Sequence, residues 1–148
     1  MMTRRMMIAA MLALTAYTAP AFAEDKQQTI LYRNPNCSCC LEYAKYLRSN
    51  SIEVTVDSKQ DLALVRKQLH VPEKFEGCHV MVVGRYAVEG HVSAGTINKL
   101  LADHPDIIGV SIPGMPSGTP GMTGRKSGPL TVYEISNDSG PAKVFAVE

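Results

Sequence analysis

Three of the four cysteines fall within four residues, in the stretch NPNCSCC (Asn34–Cys40), and the fourth, Cys78, stands alone in EGCHV. Cys37 and Cys40 have the C-x-x-C spacing of a redox dithiol, in which one thiolate attacks and the other resolves. Cys37 and Cys39 are spaced C-x-C, and Cys39 and Cys40 are adjacent. The stretch is therefore open to two chemistries, a dithiol that passes electrons or a cage of sulfur that holds metal. Two structural bridges are a poorer use of four cysteines. Neighbours such as Cys39 and Cys40 rarely both find bridging geometry with only Cys37 and Cys78 to choose from.

The compartment bears on that choice. The first 23 residues, MMTRRMMIAAMLALTAYTAPAFA, carry two arginines, an apolar run from Met6 to Ala16 and a small-residue close before Glu24 and Asp25. This is the n-region, h-region and A-x-A layout of a secretory signal cleaved after Ala23, and TRRMM is a partial match to a twin-arginine start. The run is too short to span a bilayer comfortably, so no membrane span is expected after cleavage. Residues 24–148 then form one domain in the periplasm, where thiols are oxidised unless a disulfide, a metal or a reductant claims them. Cleavage leaves 13 basic residues against 14 acidic ones, and Met81, Met115 and Met122 as the remaining methionines. With no basic cluster to neutralise a row of phosphates, nucleic acid is not an expected partner.

The elements that must position the cysteines follow from periodicity and turn residues. TILYR (Thr29–Arg33) reads as a strand entering the cysteine loop, where Asn34, Pro35 and Asn36 form a turn and Asn36 or Ser38 caps a helix over Cys39–Ser49. In that helix Cys40, Ala44 and Leu47 share a face, flanked by Leu41 and Tyr43. Ile52, Val54 and Val56 alternate as a strand, and Asp61–Leu69 is a second amphipathic helix. Cys78–His91 reads as a hairpin turning at Gly84–Arg85, and Ser93 caps a third helix carrying Ile97, Leu100 and Leu101. Gly109–Pro129, rich in Gly and Pro, is expected to be a long loop without regular structure. Leu130–Ile135 and Ala142–Glu148 make a terminal hairpin, either an appendage to the sheet or a flap over one end. The order β-α-β-α-β-β-α, with cysteines at the end of the first strand, predicts a thioredoxin-like α/β fold.

In that topology the helix N-terminus favours the thiolate of Cys37 and of Cys39, while Cys40 points inward. Cys78 falls at about the position where thioredoxin-like proteins commonly carry a cis-proline, and Pro72 is six residues too early. A fourth sulfur converging on the other three favours the cage. Zinc accepts four cysteines, but usually from two separated C-x-x-C pairs. Several Cu(I) ions bridged by thiolates suit this set better, since soft sulfur suits Cu(I). Met115 and Met122, in the doubled P-G-M of PGMPSGTPGM, are further soft donors. His91, at the end of the hairpin, is a candidate ligand. His79, next to Cys78, points to the opposite strand face and serves only where the chain is irregular. His70 and His104, at helix C-termini, suit the helix dipole instead, and Tyr32 and Tyr43 read as core or rim residues.

The segments NCSCCLEYAKYLRSN, GCHVMVVGRYAVEGHV and VSIPGMPSGTPGM resemble the exported thioredoxin-like proteins found with bacterial copper-resistance genes, often called CopG proteins. The likeness runs from about Ile30 to Met122. It implies a periplasmic copper-binding role, with other periplasmic copper-handling proteins as partners. Cys37, Cys39, Cys40 and Cys78 stand at the matching positions, and His79, His91, Met115 and Met122 also fall on motif positions. Ser93 departs from the proline expected after EGHV and leaves the ligands untouched. The leading expectation is a polynuclear Cu(I)–thiolate cluster in copper tolerance, able to take part in copper redox chemistry. The alternatives are a thiol-disulfide oxidoreductase using Cys37 and Cys40, and a binding module with structural disulfides.

Overall fold

A computed structural model describes residues 28–148, so the export signal expected over residues 1–23 lies outside the described residues. The first strand, β1 (Ile30–Arg33), leads through the Asn-Pro-Asn turn into α1 (Ser38–Ser49). Cys37 itself is the N-cap of α1 and makes no side-chain capping bond, so neither Asn36 nor Ser38 caps it as expected. The helix buries Cys40, Tyr43, Ala44 and Leu47, the i, i+3, i+4, i+7 stripe of an amphipathic helix. Tyr43 therefore lies in the core rather than beside it, whereas Leu41, read as its flanking partner, is exposed.

The remaining elements are β2 (Thr55–Asp57), α2 (Leu62–Gln68), a 3₁₀ turn (Glu73–Phe75), β3 (His79–Val83), β4 (Tyr86–Glu89), α3 (Ala94–Asp103), β5 (Gly109–Ser111), β6 (Thr131–Ile135) and β7 (Val144–Val147). Asp61 caps α2 by accepting from the amides of Ala63 and Leu64, and Ser93 caps α3 by accepting from the amide of Thr96. The expected order of strand, helix, strand, helix, hairpin and helix is present. Val83 pairs with Tyr86 across the Gly84–Arg85 turn.

Among the described residues, three α-helices accompany one mixed seven-stranded sheet of order β2-β1-β3-β4-β5-β6-β7. β1 runs parallel to β2 and antiparallel to β3; β3 and β4 are antiparallel, and β4 and β5 parallel. Strand alternation gives the sheet two apolar faces. One packs Leu31, Met81, Val88 and Val110 against Tyr43 and Leu47 of α1 and Ile97 and Leu100 of α3. The other packs Val80, Ala87 and Ile135 against Val65 of α2, Val71 and Phe75.

The long loop expected over Gly109–Pro129 is corrected at its start. Gly109–Ser111 is a strand, parallel to β4 and antiparallel to β6, so of the two expected arrangements the terminal hairpin takes the first, added to the sheet rather than folded as a flap over one end. Gly109 reads as a loop former from the sequence, but here it lets two backbones meet. A Cβ on it would stand 1.7 Å from the Ala87 carbonyl oxygen. Every peptide bond among the described residues is trans, and Pro72 caps the 3₁₀ turn. No helix among the described residues is long and apolar enough to cross a membrane.

Candidate metal centre

Strand register brings the chemistry-bearing residues to one end of the sheet. Arg33, the last residue of β1, pairs with His79, the first of β3, which sets the cysteine loop against Cys78. Val80 pairs with Glu89, so Gly90 and His91 leave β4 beside the start of β3. Glu89 pairs in turn with Ser111, which sends Ile112–Met115 out of β5 at the same end. Arg33 braces the cysteine loop, its Nη1 donating to the carbonyls of Asn34, Pro35 and Cys37 at 3.0, 2.8 and 3.1 Å. The Asn34 amide donates to the Cys78 carbonyl at 3.4 Å, tying the two cysteine segments directly.

All four cysteine sulfurs lie within 4.8 Å of one another. Cys37 and Cys40 are disulfide-bonded, and Cys39 and Cys78 are free thiols. The Cys78 sulfur stands 3.2 Å from that of Cys37, 3.5 Å from that of Cys40 and 3.9 Å from that of Cys39. Burial, reinforced by the neighbouring Cys39, pushes the Cys78 thiol up to about 11. Without a metal the proton is therefore held, and a bound cation would have to displace it.

Two imidazoles back the sulfurs. Cys78 lies in a bend before β3, so the chain is still irregular there and His79 turns to the same side. This meets the condition under which His79 could serve and replaces the expectation that it faces away. Its Nε2–H donates to the Gly90 carbonyl at 3.1 Å, which leaves the Nδ1 lone pair 3.6 Å from the Cys40 sulfur and 3.8 Å from the Cys78 sulfur. His91 uses the opposite nitrogen: Nδ1–H donates to the Pro120 carbonyl at 2.6 Å, and the buried Nε2 has no partner. A carbonyl on one ring nitrogen with a lone pair on the other is the arrangement of a metal-ready histidine. Cys78, His79 and His91 form a second group that could hold a metal ion, their donor atoms again within 4.8 Å of one another. Burial keeps both rings neutral, pushing His79 down to about 3 and His91 downward as well.

Of the two loop methionines, the fold brings one to the sulfurs. Met115 Sδ lies 3.2 Å from the Cys78 sulfur, whereas no such contact is made by Met122. His70 and His104 sit exposed at positive φ just beyond α2 and α3, away from the cluster. Tyr43, which reads from the sequence as a core or rim residue, forms the wall behind the imidazoles. Its ring centroid is 4.8 Å from that of His91 and 5.2 Å from that of His79, and its hydroxyl donates to the Val92 carbonyl at 2.7 Å. Its position three residues after Cys40 on the buried face of α1 was the available signal.

Fold and site together define a small mixed α/β protein with a cluster of cysteine sulfurs, backed by buried histidines, that could bind metal ions. Residues 75–122 match the family described as protein of unknown function DUF411. Two solved structures, of copper resistance protein CopG in its form 1 and form 2, are each 35% identical to the chain. Each covers 84% of this chain; 98% and 99% of their own lengths are covered, with TM-scores of 0.74 and 0.73. No curated protein matches the chain. The chain belongs to the CopG family of copper resistance proteins.

Proposed function

We propose that this is a periplasmic copper-binding protein of copper resistance that holds Cu(I) in a polynuclear thiolate cluster. The mature domain of that reading is residues 24–148, exported on the signal of residues 1–23. The observation that carries it is the convergence of four sulfurs on two buried imidazoles, the Nδ1 of His79 facing the Cys40 and Cys78 sulfurs and the Nε2 of His91 standing without a partner. Sulfur donors that bridge suit Cu(I), and imidazole also suits Cu(II), so the set tolerates both oxidation states. Cys37, Cys39, Cys40 and Cys78 are assigned as the thiolates, with His79, His91 and Met115 completing the shell. Met122 would reach the cluster only if the loop shifted.

Loading all four sulfurs needs the Cys37–Cys40 disulfide reduced by an external dithiol, which gives up two electrons and two protons, leaves two thiols and is itself oxidised to a disulfide. The reverse supplies the redox chemistry: two Cu(II) ions oxidise the Cys37 and Cys40 thiols to the disulfide, yielding two Cu(I) ions and two protons. A second reading, thiol-disulfide exchange with Cys37 as nucleophile, is favoured by one observation, that these two cysteines are the bonded pair.

An anaerobic Cu(I) titration of reduced mature protein, against a competing chelator and with a free-thiol count, separates the readings. More than one tightly held Cu(I), with all four thiols lost from the count, is the expected result. Cys78→Ser should lower the stoichiometry and Met115→Leu the affinity, while Met122→Leu leaves both unchanged. Absence of tight Cu(I) binding, with ready cycling of Cys37 and Cys40 in a disulfide buffer, would favour the oxidoreductase.

A further inference from the structure

Behind the cluster, on the α2 side of the sheet, lies an ion pair that touches none of the proposed ligand atoms. Arg66, near the end of α2, and Glu89, the last residue of β4, are 6% and 0% exposed. Arg66 Nε donates to Glu89 Oε1 at 2.7 Å, and its Nη2 donates to Glu89 Oε2 at 3.1 Å. The same Nη2 donates to the Gly77 carbonyl at 2.7 Å, and Glu89 Oε2 accepts from the Gly77 amide at 3.0 Å. Glu76 adds a looser contact at 3.6 Å to Arg66 Nη1. Both polar groups of Gly77, the residue before Cys78, are thus held by one fork.

We infer that Arg66 and Glu89 are positioning residues that aim the Cys78 sulfur at the cluster by clamping the Gly77 peptide. The inference rests on Cys78 being a ligand in the proposed site. Burying two charges is expensive, and a well-packed apolar pair of similar size commonly serves stability as well or better. Stability alone therefore gives little reason for the pair, whereas geometry gives a clear one. The chain between the 3₁₀ turn and β3 is outside the sheet ladder, and its direction must come from elsewhere. The Gly77 carbonyl belongs to the same planar peptide unit as the Cys78 amide, so fixing that oxygen fixes the plane from which Cys78 departs. Two further bonds hold the flanks: Ser111 Oγ donates to the Phe75 carbonyl at 3.2 Å, and the Asn34 amide donates to the Cys78 carbonyl.

The clamp also ties the two ligand-bearing strand ends together. Glu89 is followed by Gly90, whose carbonyl takes the His79 Nε2–H, and then by His91. Gly90 has φ +76°, and a Cβ there would stand 2.4 Å from the Ile112 carbonyl oxygen. In E-G-H the carboxylate holds the entry to β3, the glycine permits the close approach, and the histidine reaches the site. A bare spacing of ligands does not account for that glutamate; the clamp does.

The test is the double variant Arg66→Met/Glu89→Leu, which replaces the pair by apolar side chains of similar size. In reduced, metal-free protein the alkylation rates of Cys78 and Cys39 are read separately by peptide mass mapping, with urea unfolding run in parallel. The expected result is a folded protein in which the Cys78 rate rises about tenfold relative to Cys39, because access and environment set thiol reactivity. Its Cu(I) affinity should fall about 10- to 100-fold, the usual cost of losing an outer-shell support. An unchanged Cys78-to-Cys39 ratio in a folded double variant overturns the clamp. Should the double variant not fold, Glu89→Gln, which turns a carboxylate into an amide beside the Gly77 amide, is read in the same way. An unchanged ratio there overturns the clamp equally. A native protein that takes up no Cu(I) would defeat the copper reading alone, since the alkylation ratio needs no metal.

Discussion

His79 and His91 are held by backbone carbonyls from opposite ring nitrogens, and both are shut away from water. For His79 this makes a pH effect that can be read without metal. Its folded pKa, pushed down by burial and then by neighbouring His91, is about 3 against the usual 6.5. The unfolded chain takes up that proton near pH 6.5 and the folded one only near 3. The neutral ring's contribution is therefore fully present above pH 6.5 and is lost as the pH falls toward 3. Reduced, metal-free protein should lose stability across that window, by up to about 1.4 kcal/mol per pH unit from this ring. Urea unfolding at a series of pH values should show a shallower slope for His79→Gln, the carboxylates being common to both proteins. Equal slopes would mean that the ring is already protonated in the folded state.

At the scale of elements, the Gly/Pro/Met loop is a docked structure. Thr119 is buried, the Met122 amide donates to the Thr119 carbonyl at 2.9 Å, and the Pro120 carbonyl accepts from His91. Gly121 makes the docking possible. It has φ +77°, and a Cβ on it would stand 2.5 Å from the Tyr43 backbone nitrogen and 2.8 Å from its Cα. Helix backbone cannot yield as a side-chain tip can, so Gly121→Ala must lift the loop from α1. The expected cost is about 1–3 kcal/mol of loop docking. Hydrogen exchange should show it as lost protection at the Met122 amide, with β1 and β3 amides unaffected. Unchanged protection would show that the loop does not depend on this contact.

For the molecule as a whole, the question is whether the terminal hairpin is part of the cooperative fold. Ile135 is fully buried against Val65, Phe75, Val80 and Ala87, and its carbonyl accepts from the Ile108 amide at 2.9 Å. Val147, on the outer strand, is 62% exposed. Ile135→Ala should cost about 2–5 kcal/mol of global stability in a single urea transition. Val147→Ala should stay within about 0.5 kcal/mol. Equal effects would make the hairpin an independent appendage. The sheet joins helices α1, α2 and α3, the hairpin and the end that carries the cysteine cluster, so the site is supported from both faces.

Local physics was legible in the chain itself. The C-x-C-C spacing, the helix cap at Ser93, the Cys40, Ala44 and Leu47 face of α1 and the Gly84–Arg85 turn all depend on near neighbours in sequence, and each was readable from them. Register was not. That Gly109–Ser111 pairs as a strand, that Cys78 bends so that His79 joins the sulfurs, and that Met115 arrives where Met122 does not are all set by distant strands. Arg66 reads as one more charge on an amphipathic helix and Glu89 as one more polar residue on a strand. Only the tertiary structure, which sets them against each other across the sheet, makes them a buried pair holding Gly77. A sequence records which groups can bond; which of them meet depends on non-local pairing, because register is specified by contacts between strands rather than within them.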